Sequence, residues 1–367
     1  MQFNPSRLVL ARKRRGLSQT ALAATSGLSL RSVNYYESGE VEPSDDAVNT
    51  LAEVLKFPAA FFFGSDVEEI ACDSASFRSL SNMTASQRNA AIAAGTLAVE
   101  LCKWIEEKFE LPAPNVPSLR EFDPETAAQI LRVEWGLGER PIKNVVHLLE
   151  AHGVRVFSLP ADSLSVDAFS AWHHETPFMF LSPMKSAERG RMDASHELGH
   201  LTLHGHGIPR SRQAEFEADA FASAFLMPAA DVLAHTPRTK SITLIHKLKK
   251  RWGVSAIALV HRLKVLSLIT EWQYRTFCIE LSKDGYRKSE KDGIARDSSQ
   301  IFLKVFNALR AEGLPRGAIA RELSITSAEL DSLLVGLVIA SVANTQTDEQ
   351  PTSQDAPTRE TSKLRAV

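Results

Sequence analysis

Four of the chain's eleven histidines lie in one short stretch, MDASHELGHLTLHGH, at residues 192–206. His196 and His200 are four residues apart, so on a helix they project from the same face, one turn apart. Two imidazoles at this spacing can bind one Zn²⁺ at about 2.0–2.1 Å each. Glu197 follows the first histidine and is placed to accept a proton from water at the metal. The HExxH spacing therefore predicts a zinc site with a general base beside it.

A catalytic zinc ion usually has three protein ligands and one open position, so a third ligand must come from outside this pentapeptide. Our first choice is Glu215, in the following segment QAEFEADAFASAFLMP. Glu215 and Asp219 share a helix face, so Glu215 can bind the metal while Asp219 orients a ligand histidine through its free ring N–H. Glu217 points to another side of the same helix and is the second candidate.

The last two histidines of the stretch fit the metal less well. His206 lies where a metzincin has its third histidine, but that motif needs a glycine at position 203, which is leucine here,. We therefore rank His206 third. On a straight helix His204 lies about 12 Å along the axis from His196, at about 1.5 Å per residue, so the two cannot share one ion. We interpret His204 as a helix-end histidine, near the negative end of the helix dipole. The alternative is a role beside the metal ligands or in substrate binding.

A different pattern occupies the beginning of the chain, in GLSQTALAATSGLSLRSVNYYESGEVEPS at residues 16–44. Ser18 and Ser29 are suited to cap two successive helices, and Gly27 allows a tight turn between them. Leu22 and Val33 lie where two crossed helices would meet. The pattern predicts a helix-turn-helix.

This stretch resembles the Cro/phage-repressor (XRE-type) helix-turn-helix in its SQ pair, its central glycine and its YESGEVEPS tail. The resemblance implies that the second motif helix enters the major groove of double-stranded DNA, with Gln19, Arg31 and Asn34 near bases or phosphates. Arg14 and Arg15 belong to the basic run RKRRG and are expected to contact phosphates,. The alternative is a helical hairpin used only for protein contact or dimerisation.

Residues 137–230 resemble the ImmA/IrrE family of metallopeptidases. Four blocks carry this resemblance, in order: ERPIKNVVHLLEAHGVRV, VDAFSAW, KSAERGRMDASHELGHLTLH and EFEADAFASAFLMP. The resemblance implies a zinc-dependent peptidase with few protein targets, often a helix-turn-helix repressor, that acts in stress responses or on mobile elements. It also implies that His196 and His200 are ligands, Glu197 the base and Glu215 the third ligand. Asp219 stands where the family has Asn or Asp.

Composition limits the compartment and the partners. The net charge of −2 excludes a polycation that binds nucleic acid with its whole surface, so DNA affinity must come from a local cluster,. The three cysteines, Cys72, Cys102 and Cys278, form no CxxC and fit a reducing compartment,. No apolar run reaches the roughly 20 residues that a membrane span needs. We therefore expect a cytoplasmic protein with no membrane partner.

The order of patterns predicts a multidomain, mainly α protein with a small β-sheet. An all-α helix-turn-helix domain is followed by an α+β zincin-like peptidase domain and a C-terminal helical unit. The expected boundaries are 1–66 for the XRE-type domain, 67–117 for a helical linker, 118–285 for the peptidase domain with a helix-turn-helix-like unit at 241–270, 286–340 for the C-terminal helices and 341–367 for a disordered tail.

The functional hypothesis from the sequence is a DNA-binding transcriptional regulator with a Zn²⁺-dependent metallopeptidase domain. It would cleave a specific repressor or antitoxin-like partner in a stress or mobile-element response. XRE-type domains often pair on two-fold operators, which favours a homodimer. The alternative is a transcription factor whose zinc site is structural or sensory, without peptidase turnover.

Overall fold

The computed structural model describes residues 2–70, 84–160, 166–205, 211–237, 240–286, 290–338 and 364–365. Over these residues the chain is mainly helical and contains one three-stranded sheet, which confirms the predicted fold class. In this part of the chain no helix has both the length and the apolar character that a membrane span requires. The predicted disordered tail lies outside the described residues, except for 364–365.

The first domain contains the predicted helix-turn-helix. Ser18 and Ser29 cap the two motif helices by accepting the backbone N–H groups three residues on, and Gly27 has the left-handed φ of 71° that the turn requires,. Leu22 and Val33 are fully buried between the helices. The helices are α1 (Pro5–Arg14), α2 (Gln19–Ser26), α3 (Leu30–Ser38) and α4 (Asp45–Leu55), followed by a 3₁₀ turn at Ala59–Phe63.

Helix α5 (Ala85–Lys108) lies in the predicted linker but belongs to the core. Its middle, residues 91–99, is buried on every side. It packs against α1 of the helix-turn-helix domain. A Cβ atom on Gly95 would lie only 2.9 Å from Ile70 and 3.2 Å from Phe180, so the helix approaches the sheet closely. This segment is therefore a shared core helix, and the term linker does not describe it.

Three short apolar strands form the small β-sheet that the sequence predicts. They are β2 (Arg155–Ser158), β3 (Ala168–His173) and β4 (Thr176–Leu181), in the spatial order β2-β4-β3. Strand β2 runs parallel to β4, and β3 pairs with β4 as an antiparallel hairpin. The two-residue strands β1 (Phe109–Glu110) and β5 (Leu364–Arg365) pair separately, in parallel.

The HELGH stretch covers the end of α8 (Ala187–Gly199) and the first residue of the π-helical turn His200–His204 that continues it. Helix α8 packs closely on α9 (Arg212–Leu226) because Gly199 has no side chain: a Cβ there would lie 3.1 Å from Phe221 and 3.2 Å from Ala218. This contact places the first turns of α9 beside the histidines. The helices of this part of the chain are α6 (Pro124–Glu134), α7 (Val145–Ala151), α8 (Ala187–Gly199), α9 (Arg212–Leu226), α10 (Ala229–His235), α11 (Ile242–Trp252), α12 (Ala256–Val265) and α13 (Glu271–Lys283).

Helices α11 and α12 have the predicted helix-turn-helix-like geometry, with Gly253 at φ 61° between them. Two of their basic residues are engaged by acidic residues of the protein. Lys249 is buried and pairs with Glu290 at 2.7 Å, and the more exposed Arg251 pairs with Asp231 at 2.6 Å. These two residues therefore help to pack the unit on the rest of the fold, whereas Lys247 and Lys250 are exposed.

The C-terminal helices α14 (Gln300–Ala311), α15 (Arg316–Glu322) and α16 (Ser327–Ser332) pack against β2 and α7. The backbone N–H of Ser158 in β2 donates to the carbonyl of Leu333 at 2.8 Å. Buried Glu150 of α7 accepts the first backbone N–H groups of α14, from Gln300 at 2.9 Å and Ile301 at 3.2 Å. An acidic side chain at a helix N-terminus stabilises the helix, so α7 and α14 are tied together.

Glu329 of α16 connects the C-terminal helices to the helix-turn-helix domain. Its carboxylate pairs with Arg14 Nε and, at 2.9 Å, with Arg15 Nη1, and the Arg14 pair is buried. Arg15 Nε also donates to the carbonyl of Leu55 at 2.6 Å. The expectation that Arg14 and Arg15 contact phosphates is therefore not supported, because both guanidinium groups are engaged within the protein.

Glu329→Ala should destabilise the protein by about 3 kcal/mol, because it removes the carboxylate that two arginines share, one of them buried. The matched control in the same helix is Asp331→Ala. Asp331 is exposed and pairs with Arg316 at 3.4 Å, so its loss should cost less than about 1 kcal/mol. Urea unfolding of the full chain measures both. Equal stabilities for the two variants would show that the buried pair does not hold the domains together.

Candidate metal centre

Three donor atoms converge between α8 and α9. His196 Nε2 lies 3.1 Å from His200 Nε2. The carboxylate of Glu215 faces both rings, with Oε2 3.4 Å from His196 Nε2 and Oε1 3.5 Å from His200 Nε2. The two histidines are buried and Glu215 is half-exposed. The structure therefore brings together His196, His200 and Glu215, which are the ligands predicted from the sequence.

The spacing of these atoms fits a tetrahedral metal ion. For metal–ligand bonds of about 2.0–2.1 Å, the edge of a tetrahedron is roughly 3.3–3.4 Å. The two ligand nitrogens lie 3.1 Å apart, close to this edge, and each has a different oxygen of Glu215 at 3.4 or 3.5 Å. Two imidazole nitrogens and one carboxylate are also the donor set of several catalytic zinc sites. The residues present therefore fit a zinc ion.

Asp219 fixes the orientation of His196. Asp219 Oδ1 lies 2.8 Å from His196 Nδ1, on the side of the ring opposite Glu215. A carboxylate only accepts hydrogen bonds, so His196 donates from Nδ1, and a neutral His196 then carries its lone pair on Nε2. This is the carboxylate–histidine arrangement that supports metal ligands, and it leaves Nε2 directed at the proposed ion.

A second chain of hydrogen bonds fixes His200. Glu217 Oε2 lies 3.0 Å from His204 Nε2, and His204 Nδ1 lies 2.9 Å from His200 Nδ1. Burial lowers the pKa of His204 despite the opposing effect of Glu217, so its ring is neutral at pH 7. Neutral His204 donates to Glu217 from Nε2 and accepts from His200 at Nδ1. The lone pair of a neutral His200 is therefore on Nε2 as well.

His204 is the last residue of the π-helical turn, which agrees with our interpretation of it as a helix-end histidine. The structure adds that the residue is buried and that its ring lies against that of His200. The same contacts distinguish between the candidates for the third metal ligand. Glu215 faces the two ligand nitrogens, whereas Glu217 faces His204, and His206 lies outside the described residues.

The three converging groups need a positive charge between them. Burial opposes ionisation of Glu215, but hydrogen bonds and charge from His196 and His200 outweigh it and hold its pKa at about 2. Glu215 is therefore a carboxylate at neutral pH. With neutral histidines, two lone pairs and a carboxylate would face each other at 3.1–3.5 Å and repel. Either a proton on an imidazole or a metal ion must lie there.

Glu197 is fully buried beside the ligands. Its Oε2 accepts a hydrogen bond from Ser170 Oγ of β3 at 2.7 Å. Its Oε1 is buried and finds no hydrogen-bond partner among the described residues. An unsatisfied buried carboxylate oxygen is costly, so this oxygen is suited to accept a proton or hydrogen bond from a molecule that enters the site.

The helix-turn-helix domain carries the residues that are predicted to contact DNA. Arg31 and Asn34 lie on the exposed face of α3, and Arg31 Nε donates to the hydroxyl of Tyr35 at 2.9 Å. Gln19 is half-buried and donates to Glu37 at 2.8 Å. Glu37 also binds Arg12 through both of its oxygens. Of the five residues expected to contact DNA, only the two on α3 have exposed side chains.

One residue that contacts the site, Ser170, is not predicted from the sequence. It is a polar residue within the apolar run VDAFSAW, which is the signal that could have revealed it. His204 lies four residues beyond His200, the spacing at which helical side chains meet, and the structure favours the alternative of a role beside the ligands,. Its partner Glu217 was considered only as a competing ligand.

Comparison with known proteins supports both halves of this description. Residues 149–264 match the IrrE N-terminal-like domain of the M78 peptidase family. Residues 8–62 match a helix-turn-helix family. The first range contains the sheet, the HExxH stretch and the α9 carboxylates. A search of curated proteins found no significant match.

His204→Phe should weaken zinc binding about tenfold or more, because it removes the hydrogen bond that orients His200 while keeping a ring of similar size. Competition with a chromophoric chelator measures the affinity without any enzymatic assay. Gln213→Ala is the control, since exposed Gln213 contacts Glu217 Oε1 but neither ligand histidine. Unchanged affinity in a folded His204→Phe variant would mean that His204 does not support the ligand.

Proposed function

Because the chain combines an XRE-type helix-turn-helix domain with an IrrE N-terminal-like domain, we propose that it is a DNA-binding regulator that contains a zinc-dependent peptidase. The observation that carries this proposal is the convergence of His196, His200 and Glu215 at 3.1–3.5 Å, with buried Glu197 beside them. In the described part of the chain, this cluster holds no fourth His, Cys, Asp or Glu. Three ligands leave one tetrahedral position for water or substrate.

The chemistry follows from the placement of the side chains. Zinc, when bound, supplies Lewis acidity, which polarises a scissile carbonyl and makes water a stronger acid. We assign Glu197 as the base that accepts a proton from water and returns it to the leaving amine. Ser170 holds one oxygen of Glu197, so the other oxygen is the one available for proton transfer. Asp219 and the His204–Glu217 pair keep the ligand rings oriented.

The proposed substrate is a specific protein partner, a helix-turn-helix repressor or antitoxin-like protein, in a stress or mobile-element response. The fusion to a helix-turn-helix domain supports this choice, because it would place the peptidase where such repressors bind. We keep the proposed domain ranges 1–66, 118–285 and 286–340, with α5 as a core helix shared between them. A homodimer on a two-fold operator is part of the proposal.

A second candidate function is a transcription factor with a structural or sensory zinc site and no turnover. The complete burial of Glu197 and its hydrogen bond from Ser170 favour this candidate, because a carboxylate held in this way can also serve packing. The two functions share every ligand and differ in what Glu197 does.

Glu197→Gln separates the two functions. The amide keeps the size of the side chain but cannot accept a proton, so zinc content should be unchanged while cleavage falls by at least about 100-fold. The assay follows fragments of the helix-turn-helix repressor encoded nearest to this protein, with wild type plus chelator as the negative control. Persistent cleavage by Glu197→Gln would exclude Glu197 as the base. Absence of cleavage by zinc-loaded wild type would favour the sensory function.

Arg31→Ala should weaken binding to operator DNA about tenfold, because Arg31 is a cation on the exposed face of the recognition helix,. Arg275→Ala is the matched control, since it removes an equally exposed arginine from α13, outside the helix-turn-helix domain. Fluorescence anisotropy at fixed salt measures both affinities. Equal binding by the two variants would mean that α3 does not face DNA.

A further inference from the structure

A second group of metal-binding side chains lies away from the HExxH site, at the turn between β3 and β4. His173 ends β3, His174 follows in the turn, and Glu68 approaches from the segment after the helix-turn-helix domain. Glu68 Oε2 is 3.0 Å from His174 Nε2 and 3.8 Å from His173 Nε2. One ligand atom from each residue lies within 4.8 Å of the others.

The turn brings two adjacent histidines to the same side. Successive side chains of a strand point to opposite faces, so neighbouring residues do not usually share a ligand. His174, however, has a left-handed φ of 51°, which rotates its side chain out of the strand alternation,. The ring centroids of His173 and His174 are only 4.5 Å apart as a result. A non-glycine residue in this conformation is uncommon and marks a local constraint.

His173 provides the independent sign of a missing ligand. Its side chain is 9% exposed, yet its Nε2 is buried without a hydrogen-bond partner among the described residues. A buried polar atom left unsatisfied usually costs about 1–3 kcal/mol. The hydrogen bond between His174 and Glu68 explains the positions of those two residues only. It leaves unexplained why the Nε2 of His173 faces the same carboxylate at 3.8 Å.

We propose that Glu68, His173 and His174 form a second metal site, specific for a divalent transition metal such as Zn²⁺. Imidazole nitrogens with one carboxylate oxygen are ligands that zinc prefers. The two distances to Glu68, 3.0 and 3.8 Å, bracket the tetrahedral edge of roughly 3.3–3.4 Å, and the three ligand atoms lie within 4.8 Å of one another, so movement of the exposed side chains of His174 and Glu68 would complete the site,. This inference is independent of peptidase activity.

The charges around the site permit a cation. Lys103 and Glu100 of α5 both act on His173, with opposite signs. They are paired with each other at 3.5 Å, which reduces the repulsion that Lys103 alone would exert. His174 and Glu68 are exposed, so an ion can enter directly from solvent.

An ion here would link two parts of the molecule. Glu68 belongs to the segment that leaves the helix-turn-helix domain, whereas His173 lies on β3, three residues after Ser170. The same strand therefore carries both this site and the hydroxyl that holds Glu197. A bound ion would fasten the segment that follows the DNA-binding domain to the strand that borders the candidate active site.

The test is a zinc titration of the untagged full chain, by calorimetry and by competition with a chromophoric chelator. Wild type should bind two ions, and Glu68→Gln should bind one, or bind the second at least tenfold more weakly. Glu175→Gln is the matched control because Glu175 is an exposed glutamate of the same turn that is not a ligand. It should bind two ions.

The two sites are distinguished by repeating the titration in the His196→Gln background. One ion should remain there, and His173→Gln added to it should remove that ion. Glu68 is exposed, so its variant keeps the test valid if the buried His173 variant does not fold. A single ion in wild type that disappears with His196→Gln, or a Glu68→Gln titration identical to that of Glu175→Gln, would overturn the proposal.

Discussion

The close contact between α8 and α9 is the constraint on which the candidate metal centre depends. At Gly199 the helices approach until a single added Cβ would lie 3.1–3.2 Å from Phe221 and Ala218. At that distance the carboxylates of α9 reach the histidines of α8 directly. Glu215 faces both Nε2 atoms, Asp219 contacts the other ring nitrogen of His196, and Glu217 contacts His204. A wider helix separation would leave the histidines paired to no carboxylate, so the glycine of HELGH serves the site through packing.

Hydrogen bonds fix the orientation of both ligand histidines, one directly to a carboxylate and the other through a further histidine. Asp219 sets the tautomer of His196, and Glu217 sets that of His200 through His204. When both histidines are neutral, their Nε2 atoms therefore present lone pairs toward the same point as Glu215. Such a convergence is unfavourable without a positive charge, and the fold maintains it because the surrounding side chains are buried and packed. An imposed arrangement of this kind is typical of metal sites, whose second layer of residues orients the ligands.

The domains are joined more tightly than the sequence suggested. Helix α5 supplies core residues to both the helix-turn-helix domain and the sheet, and Glu329 binds two arginines of α1 and the turn that follows it. Part of the basic opening therefore stabilises the interior and is not available to phosphates. Movement of the DNA-binding domain would break a buried ion pair, which couples its position to the rest of the chain.

The sequence by itself determined the features that depend on local spacing. The i, i+4 histidines, the serine caps of the motif helices, the turn glycine and the short apolar strands follow from helix and strand periodicity, and each lies where that periodicity requires. Only the tertiary structure decided which distant groups meet. The choice of Glu215 over Glu217 at the ligand nitrogens, the relay through His204, the hydrogen bond from Ser170 to Glu197, and the pairing of Arg14 with Glu329 all depend on how elements far apart in the chain pack. Local sequence patterns do not encode those distances. The partner of a residue across a helix interface depends on how closely the two helices approach and on how each is rotated about its axis, and neither helix sequence determines this alone.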